Sequence, residues 1–425
     1  MKIFENPSRE SWVALCLRPS NPDSDVRERV AQIIERVQKG GDGALKELSL
    51  EIDGRDCPAL ELSPADIERA CAEVTDDIKT AISLAKKNIE AFHKAQLPHE
   101  IRVESAPGVL CIQRPVPIEK VGLYIPGGTA PLFSTVLMLA VPAAIAGCRE
   151  RVLCSPAGPD GEINPIVVYA ASVCGVDRIF RVGGAQAIAA MAYGTESIPA
   201  VDKIFGPGNR YVTTAKQMVA ADKVSIDMPA GPSEVMVIVD ESSNPAYAAA
   251  DLLSQAEHGR DSQVVLCAPS CEKAGEIIAE VGRQVEVLGR RELAEGALSK
   301  SLAVILRDED DVVAFANSYA PEHLIISTAL PWRIADRITA AGSVFVGCWT
   351  PESAGDYASG TNHTLPTCAW ARSCSGVNVD SFLRKMTLQE ISREGLRGLS
   401  KTIMDMADAE GLQAHANAVK TRIND

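Results

Sequence analysis

The sequence has no Cys-x-x-Cys pair, no G-x-G-x-x-G fingerprint, no excess of positive charge and no bilayer-length apolar run, and each absence removes a class of function. Cys267 and Cys271 lie four positions apart and Cys368 and Cys374 six, poor spacings for a structural zinc knuckle. Twelve cysteines without regular spacing read as reduced thiols, not as a disulfide framework. Lys plus Arg (42) against Asp plus Glu (56) leaves a net charge of −14, which disfavours nucleic acid or an anionic membrane as the main partner and suits a soluble enzyme. The longest apolar stretch, Val136 to Gly147, carries Pro142 and reads as a buried helix. The opening Met1-Lys2-Ile3-Phe4-Glu5-Asn6 has no signal-peptide profile, so the expected location is the cytoplasm.

What is present is length and rhythm. A chain of 425 residues exceeds the roughly 250 to 300 residues at which single cores stop growing, so several units are expected. Val26, Val30, Ile33, Ile34 and Val37 repeat with a helical period from Ser24 to Gln38, where Gly40-Gly41 ends the run. Ser63-Pro64 opens a second helix, and Asp77 to Gln96 forms a third that stops at Leu97-Pro98; His93 and His99 fall here and are expected on the surface. Beyond about residue 108, short β-branched runs alternate with small-residue helices. The runs Val121 to Ile125, Arg151 to Cys154, Arg178 to Val182 and Lys203 to Phe205 form one set; Glu234 to Val239, Gln263 to Ala268, Leu302 to Arg307, Leu324 to Ser327 and Ser343 to Val346 form another. This βαβ rhythm predicts two parallel-sheet units. From Phe382 to Asp425 the pattern is helical, with no strand signal, and so short a tail must dock on the body or on another subunit.

Several polar clusters interrupt these elements. Pro126-Gly127-Gly128-Thr129-Ala130, Gly183-Gly184-Ala185-Gln186 and Gly206-Pro207-Gly208-Asn209-Arg210 are turns between a strand and a helix, where free N–H groups attract phosphate; ordinary tight turns read the same way. Ser254-Gln255-Ala256-Glu257-His258-Gly259 sets an amide oxygen and an imidazole on one face at a helix end, with Gly259 suited to a left-handed cap. It is either a solvated terminus or half a metal site. Pro321-Glu322-His323 places a carboxylate and an imidazole together before a strand, near the carboxyl side of its sheet, as a general base and a group to activate water; a solvated Glu beside a hydrogen-bonded loop His is the plainer alternative. Glu352, Asp356 and His363 share a polar loop after the strand Ser343 to Val346, and Glu410 and His415 sit in the tail. Gln255, His258, Asp356 and His415 make an oxygen and nitrogen set that suits zinc better than calcium.

Taken in order, these motifs, with Val121-Gly122-Leu123-Tyr124-Ile125-Pro126-Gly127-Gly128, Val182-Gly183-Gly184-Ala185-Gln186-Ala187, Gly206-Pro207-Gly208-Asn209 and Asp227-Met228-Pro229-Ala230-Gly231-Pro232-Ser233-Glu234, resemble the histidinol dehydrogenase family over nearly the whole chain. The resemblance implies an α/β fold of two Rossmann-like, incomplete dinucleotide-fold domains with small terminal segments, assembled as a domain-swapped homodimer. The expected divisions are an arm at 1–22, a discontinuous first domain at 23–120 and 234–378 carrying zinc and the catalytic residues, an NAD-binding domain at 121–233, and an exchanged helical tail at 379–425. It also implies one zinc per subunit held by Gln255, His258, Asp356 and His415, with His415 and Glu410 arriving from the neighbouring subunit. NAD contacts would be Tyr124, Gln186 and Asn209. Substrate contacts would be Ser233, Glu322, His323, His363 and Glu410 besides the metal ligands.

The implied reaction takes L-histidinol through L-histidinal to L-histidine with two NAD, His323 acting as base in both oxidations and Glu322 activating water for the second. Three other readings share these residues: a related zinc and NAD dehydrogenase of another small alcohol, a zinc hydrolase in which Glu322 activates a metal-bound water, and a route through a thiohemiacetal on Cys111 or Cys154. Neither cysteine has an evident basic setting that would lower its pKa.

Overall fold

The computed structural model describes residues 1–18, 24–54, 57, 59–127, 131–229 and 231–424. Gly128, Thr129 and Ala130 of the first glycine-rich turn, Ala230, and residues 19–22 of the arm lie outside the described residues. In chain order the strands are β1 (Lys2–Glu5), β2 (Ile101–Ala106), β3 (Val109–Pro117), β4 (Lys120–Tyr124), β5 (Glu150–Ser155), β6 (Arg178–Arg181), β7 (Lys203–Phe205), β8 (Ser225–Ile226), β9 (Glu234–Val239), β10 (Gln263–Ala268), β11 (Leu302–Ile305), β12 (His323–Ser327), β13 (Ser343–Val346) and β14 (Leu383–Ile391).

They form two parallel sheets, as the βαβ rhythm predicts. One has five strands in the order β6-β5-β4-β7-β8, the other six in the order β1-β11-β10-β9-β12-β13. The strands β9 and β10 are buried at every position, the mark of parallel strands covered on both faces. Helix Phe133–Ala146, the apolar stretch containing Pro142, is buried nearly all round and packs into the core of the five-stranded sheet. No helix among the described residues is long and apolar enough to cross a membrane.

Several elements depart from expectation for identifiable reasons. The helical run from Ser24 does not end at Gly40-Gly41; it breaks at Gly41, where φ is 49° and ψ −134°, and helical structure resumes to Asp53. His93 is fully buried, its Nδ1 2.8 Å from Ile89 O, because the apolar stripe of helix Asp76–Lys94 includes it; His99 is exposed as expected. The tail opens with a strand, β14, paired antiparallel to β3 in a third sheet of order β14-β3-β2. Both β2 and β14 are exposed along most of their length, so neither shows the period-two alternation that betrays a half-buried strand. The N-terminal residues Lys2–Glu5 add an edge strand beside β11. Val26, Val30, Ile34 and Val37 share a core with Tyr124, Val152 and Ile188, so this helix covers the five-stranded sheet, whereas the expected division grouped it with residues 234–378.

Candidate active site

The strand order β6-β5-β4-β7-β8 reverses between β4 and β7, and at such a switch point the loops leaving neighbouring strands diverge and open a crevice. A cavity of about 1220 Å³ lies there, lined by Tyr124, Gln186 and Asn209 and, from the other unit, by Ser233 and His258. Gly206 has φ of 126°, and a Cβ on it would come within 2.1 Å of Tyr124 O, so only glycine lets the strand ends approach this closely. Helix Gly184–Tyr193 and helix Arg210–Ala220 begin at the cavity. Gly184 N–H donates to the Tyr124 hydroxyl at 3.0 Å, and Asn209 Oδ1 caps its helix by accepting from Tyr211 N and Val212 N. Gln186 is 1% exposed, and its Nε2 has no protein partner. Two helix starts and an unpaired amide donor suit an anionic dinucleotide.

The second half of the site gathers at the amino ends of the six-stranded sheet, not near the carboxyl side expected for Glu322 and His323. Helix Glu309–Tyr319 closes on Ala320, a non-glycine residue in the left-handed region at φ 51°, and the chain then turns through Pro321 and Glu322 into β12, whose first residue is His323. Such a conformation costs on the order of 1 to 2 kcal/mol and re-aims the chain at that point. Helix Glu352–Tyr357 follows β13. It lies against Phe345 because Gly355 has no Cβ, which would fall 2.7 Å from the ring, and this close seat brings Glu352 and Asp356, one turn apart, to the cluster. Helix Pro245–Ala256, capped at its start by Asn244, supplies Gln255 in its last turn and His258 in the turn beyond. Its cap is Glu257 in right-handed geometry, and Gly259 does not take the left-handed conformation expected of it, since the His258 N–H still bonds back to Gln255 O.

His323 stands among carboxylates. Its Nδ1 lies 3.7 Å from Glu322 Oε2 and 3.9 Å from Glu352 Oε1, and its Nε2 lies 3.7 Å from Asp356 Oδ1. Gln255 Nε2 is 3.1 Å from the same Nδ1. Burial works against the imidazolium, yet Glu352, Glu322 and Asp356 outweigh it and push His323 up to about 10. Burial likewise pushes Glu322 up to about 7 against the pull of His323, and Glu352 up to about 8. Asp356, although burial opposes its ionisation, is held below the usual carboxylate range by the imidazoles of His323, His363 and His258. His363 adjoins it, with Nδ1 3.1 Å from Asp356 O and Nε2 3.3 Å from Thr135 Oγ1.

One ligand atom each from His258, Glu352 and Asp356 lies within 4.8 Å of the others. Gln255 Oε1, both Glu352 oxygens and His323 Nε2 are buried without a protein partner. Buried acceptors left unpaired beside three acidic groups are the signature of a place for a cation, and the mixed oxygen and nitrogen donors suit zinc. Gln255, His258, Asp356, His323, Glu322 and His363 are therefore brought together. Glu410 and His415 are not: both are exposed, and Glu410, just past helix Arg393–Ala409, and His415, in the first turn of helix Gln413–Asn424, stand outside the cluster. Glu352, in the polar loop of the sequence but given no ligand role there, joins the cluster because residues 352–357 are helical and set it one turn from Asp356. Cys154 is fully buried and its thiol is raised far above the ordinary range, which argues against a nucleophile there.

The family model for histidinol dehydrogenase matches residues 16–423. A histidinol dehydrogenase of Bacteroides thetaiotaomicron is 53% identical over 424 residues, covering 100% of this chain and 99% of the relative. One of Escherichia coli strain K12 is 51% identical over 413 residues, covering 96% and 94%. The crystal structure of histidinol dehydrogenase from Elizabethkingia anophelis superposes with a TM-score of 0.97 at 45% identity, covering 100% of this chain and 98% of that one.

Proposed function

The chain belongs to the histidinol dehydrogenase family, and from that premise we propose that it oxidises L-histidinol to L-histidine through L-histidinal, consuming two NAD and one water, as the closing step of histidine synthesis. The observation that carries this reading is His323, a buried imidazole whose Nε2 makes no hydrogen bond, set among the carboxylates of a candidate cation cluster whose His258 also lines the cavity at the two helix starts. Gln255, His258 and Asp356, with His415 of the partner subunit, would hold zinc, which would supply orientation of the substrate. Tyr124, Gln186 and Asn209 would hold NAD, the acceptor of both hydrides.

The chain's own groups do the rest. His323 Nε2 takes the alcohol proton as the carbinol carbon gives up its hydride, leaving histidinal. Glu322, its Oε2 fixed by the Glu234 N–H at 2.9 Å, draws a proton from the water that adds to the aldehyde. As the water adds, the protonated His323 returns its proton to the former aldehyde oxygen, giving the hydrate, and the neutral imidazole then takes a hydroxyl proton of that hydrate as the second hydride departs. Ser233 and His363, with the partner subunit's Glu410, would complete the grip on the substrate. Because Glu322 enters only with the water, Glu322→Gln is expected to leave the first NADH of a single turnover near its normal rate and to slow the second by about 10²-fold or more. Equal slowing of both would reassign Glu322.

The same reading makes the assembly a homodimer with exchanged tails. Helices Arg393–Ala409 and Gln413–Asn424 pack chiefly on each other, Met386, Ile391, Met406 and Leu412 are exposed on the tail, and Ile101 and Val103 are exposed on β2 of the same small sheet. A second copy would cover this apolar surface and deliver the missing histidine. We accordingly assign 121–233 to NAD binding, 234–378 to the metal and catalytic residues, and 379–425 to exchange. Twelve free thiols accord with a reducing cytoplasm. If the tails are exchanged, His323→Ala and His415→Ala chains, each inactive alone, should on dissociation and mixing recover about a quarter of wild-type activity. Half of the randomly paired dimers are then mixed, and each of those contains one intact site. No recovery would show that each tail serves its own chain.

A further inference from the structure

One buried ion pair reaches the site through the backbone. Arg18, in the N-terminal segment, directs its guanidinium into the body, where Nε donates to Glu234 Oε2 at 3.0 Å and Nη2 donates to the same oxygen. Nη2 also donates to Tyr319 O at 2.7 Å and Nη1 to Cys16 O at 2.8 Å, and the guanidinium carbon stands 3.6 Å from the centre of the Tyr319 ring. Glu234 Oε1 accepts from the Cys368 N–H, and the residue is only 1% exposed. A carboxylate at that depth is tolerated only when paired and fully hydrogen-bonded: burial raises the Glu234 carboxyl above its ordinary range, and Arg18 and the Cys368 N–H oppose that rise.

The main chain of Glu234 explains why a charge is kept there. Its N–H donates to Glu322 Oε2 at 2.9 Å, and its carbonyl accepts from Gln255 Nε2 at 3.2 Å. With Nε2 tied down, the orientation of the Gln255 amide is set, and Oε1 is the end left without a partner. Glu234 is the first residue of β9, where the ladder has only begun to restrain the chain, so a side-chain anchor at this position decides where both backbone groups point.

We propose that Arg18 and Glu234 form a positioning clamp, through which the N-terminal segment fixes the start of β9 and thereby holds the Glu322 carboxylate and the Gln255 amide in place. Neither residue touches substrate. The proposal rests on the reading of Glu322 as the group that activates water.

The test is a double-substitution cycle on the full-length, zinc-saturated enzyme, with the first and second NADH of a single turnover timed separately. Arg18→Met is expected to slow the second by about 10- to 100-fold, the usual cost of losing a supporting contact behind a site, and the first far less. In a Glu322→Gln background the same substitution should add no further loss to the second step, because the group it positions has already been disabled. Losses that multiply, equal slowing of both steps, or no slowing would overturn the clamp. If Arg18→Met does not fold, Arg18→Lys, which keeps the charge but not the planar fork, takes its place in the cycle. If Glu322→Gln alone leaves the second step intact, the reading of Glu322 fails separately. The zinc affinity of Arg18→Met then decides the clamp: about 10- to 100-fold weaker binding keeps it through Gln255, and unchanged binding removes it.

Discussion

Replacing His323 with alanine is expected to lower the rates of both oxidations together, by about 10² to 10⁴-fold, the range over which a positioned acid or base contributes. Each oxidation releases a proton from an oxygen as hydride leaves the adjacent carbon, and His323 Nε2 is a buried nitrogen of the cluster that makes no hydrogen bond, with Asp356 Oδ1 3.7 Å away. Stopped-flow measurement of NADH in a single turnover checks the expectation. Loss confined to one oxidation would contradict a shared base and would place the second proton on another group.

Stripping the metal with a chelator should abolish turnover, and adding zinc back should restore it. Two physical effects combine. Without the ion, Gln255, His258 and Asp356, as its proposed ligands, would have nothing through which to orient the substrate. In addition, with Glu352, Glu322 and Asp356 uncompensated, His323 is pushed up to about 10 and stays protonated through the neutral range. A bound divalent cation offsets those carboxylates and returns His323 to a form that can accept a proton at neutral pH. The metal-free protein should therefore show an imidazolium signal for His323 by NMR at pH 8, which disappears on zinc binding. Full activity in protein shown to be metal-free would overturn the metal assignment.

Both parallel sheets were legible because their strands are continuous β-branched runs, buried on both faces, with helical spacers of ordinary length; Glu234–Val239 and Gln263–Ala268 match residue for residue. The strands β2 and β14 were not, since an exposed strand carries no alternation to read. His93 shows the opposite failure: a polar residue on an otherwise apolar stripe was assigned to solvent, whereas the Ile89 carbonyl satisfies it inside. At the site, Gln255, His258, Glu322, His323, Asp356 and His363 could be singled out because unlike polar residues crowd short loops beside apolar strands. Their mutual distances could not be read, and neither could Glu352, whose meaning depends on Gly355 seating its helix on Phe345. Arg18 and Glu234 lie 216 positions apart, and a contact at that separation leaves no local trace in one sequence.

The central claim is a four-electron oxidation carried out in one site, and the yield of NADH per histidinol consumed, at saturating NAD with zinc bound, measures it directly. The account predicts two NADH for each histidinol, with histidine as the product and no free histidinal accumulating. A yield of one would reduce the enzyme to an alcohol dehydrogenase, and consumption without NADH would point to hydrolysis; either result contradicts the account.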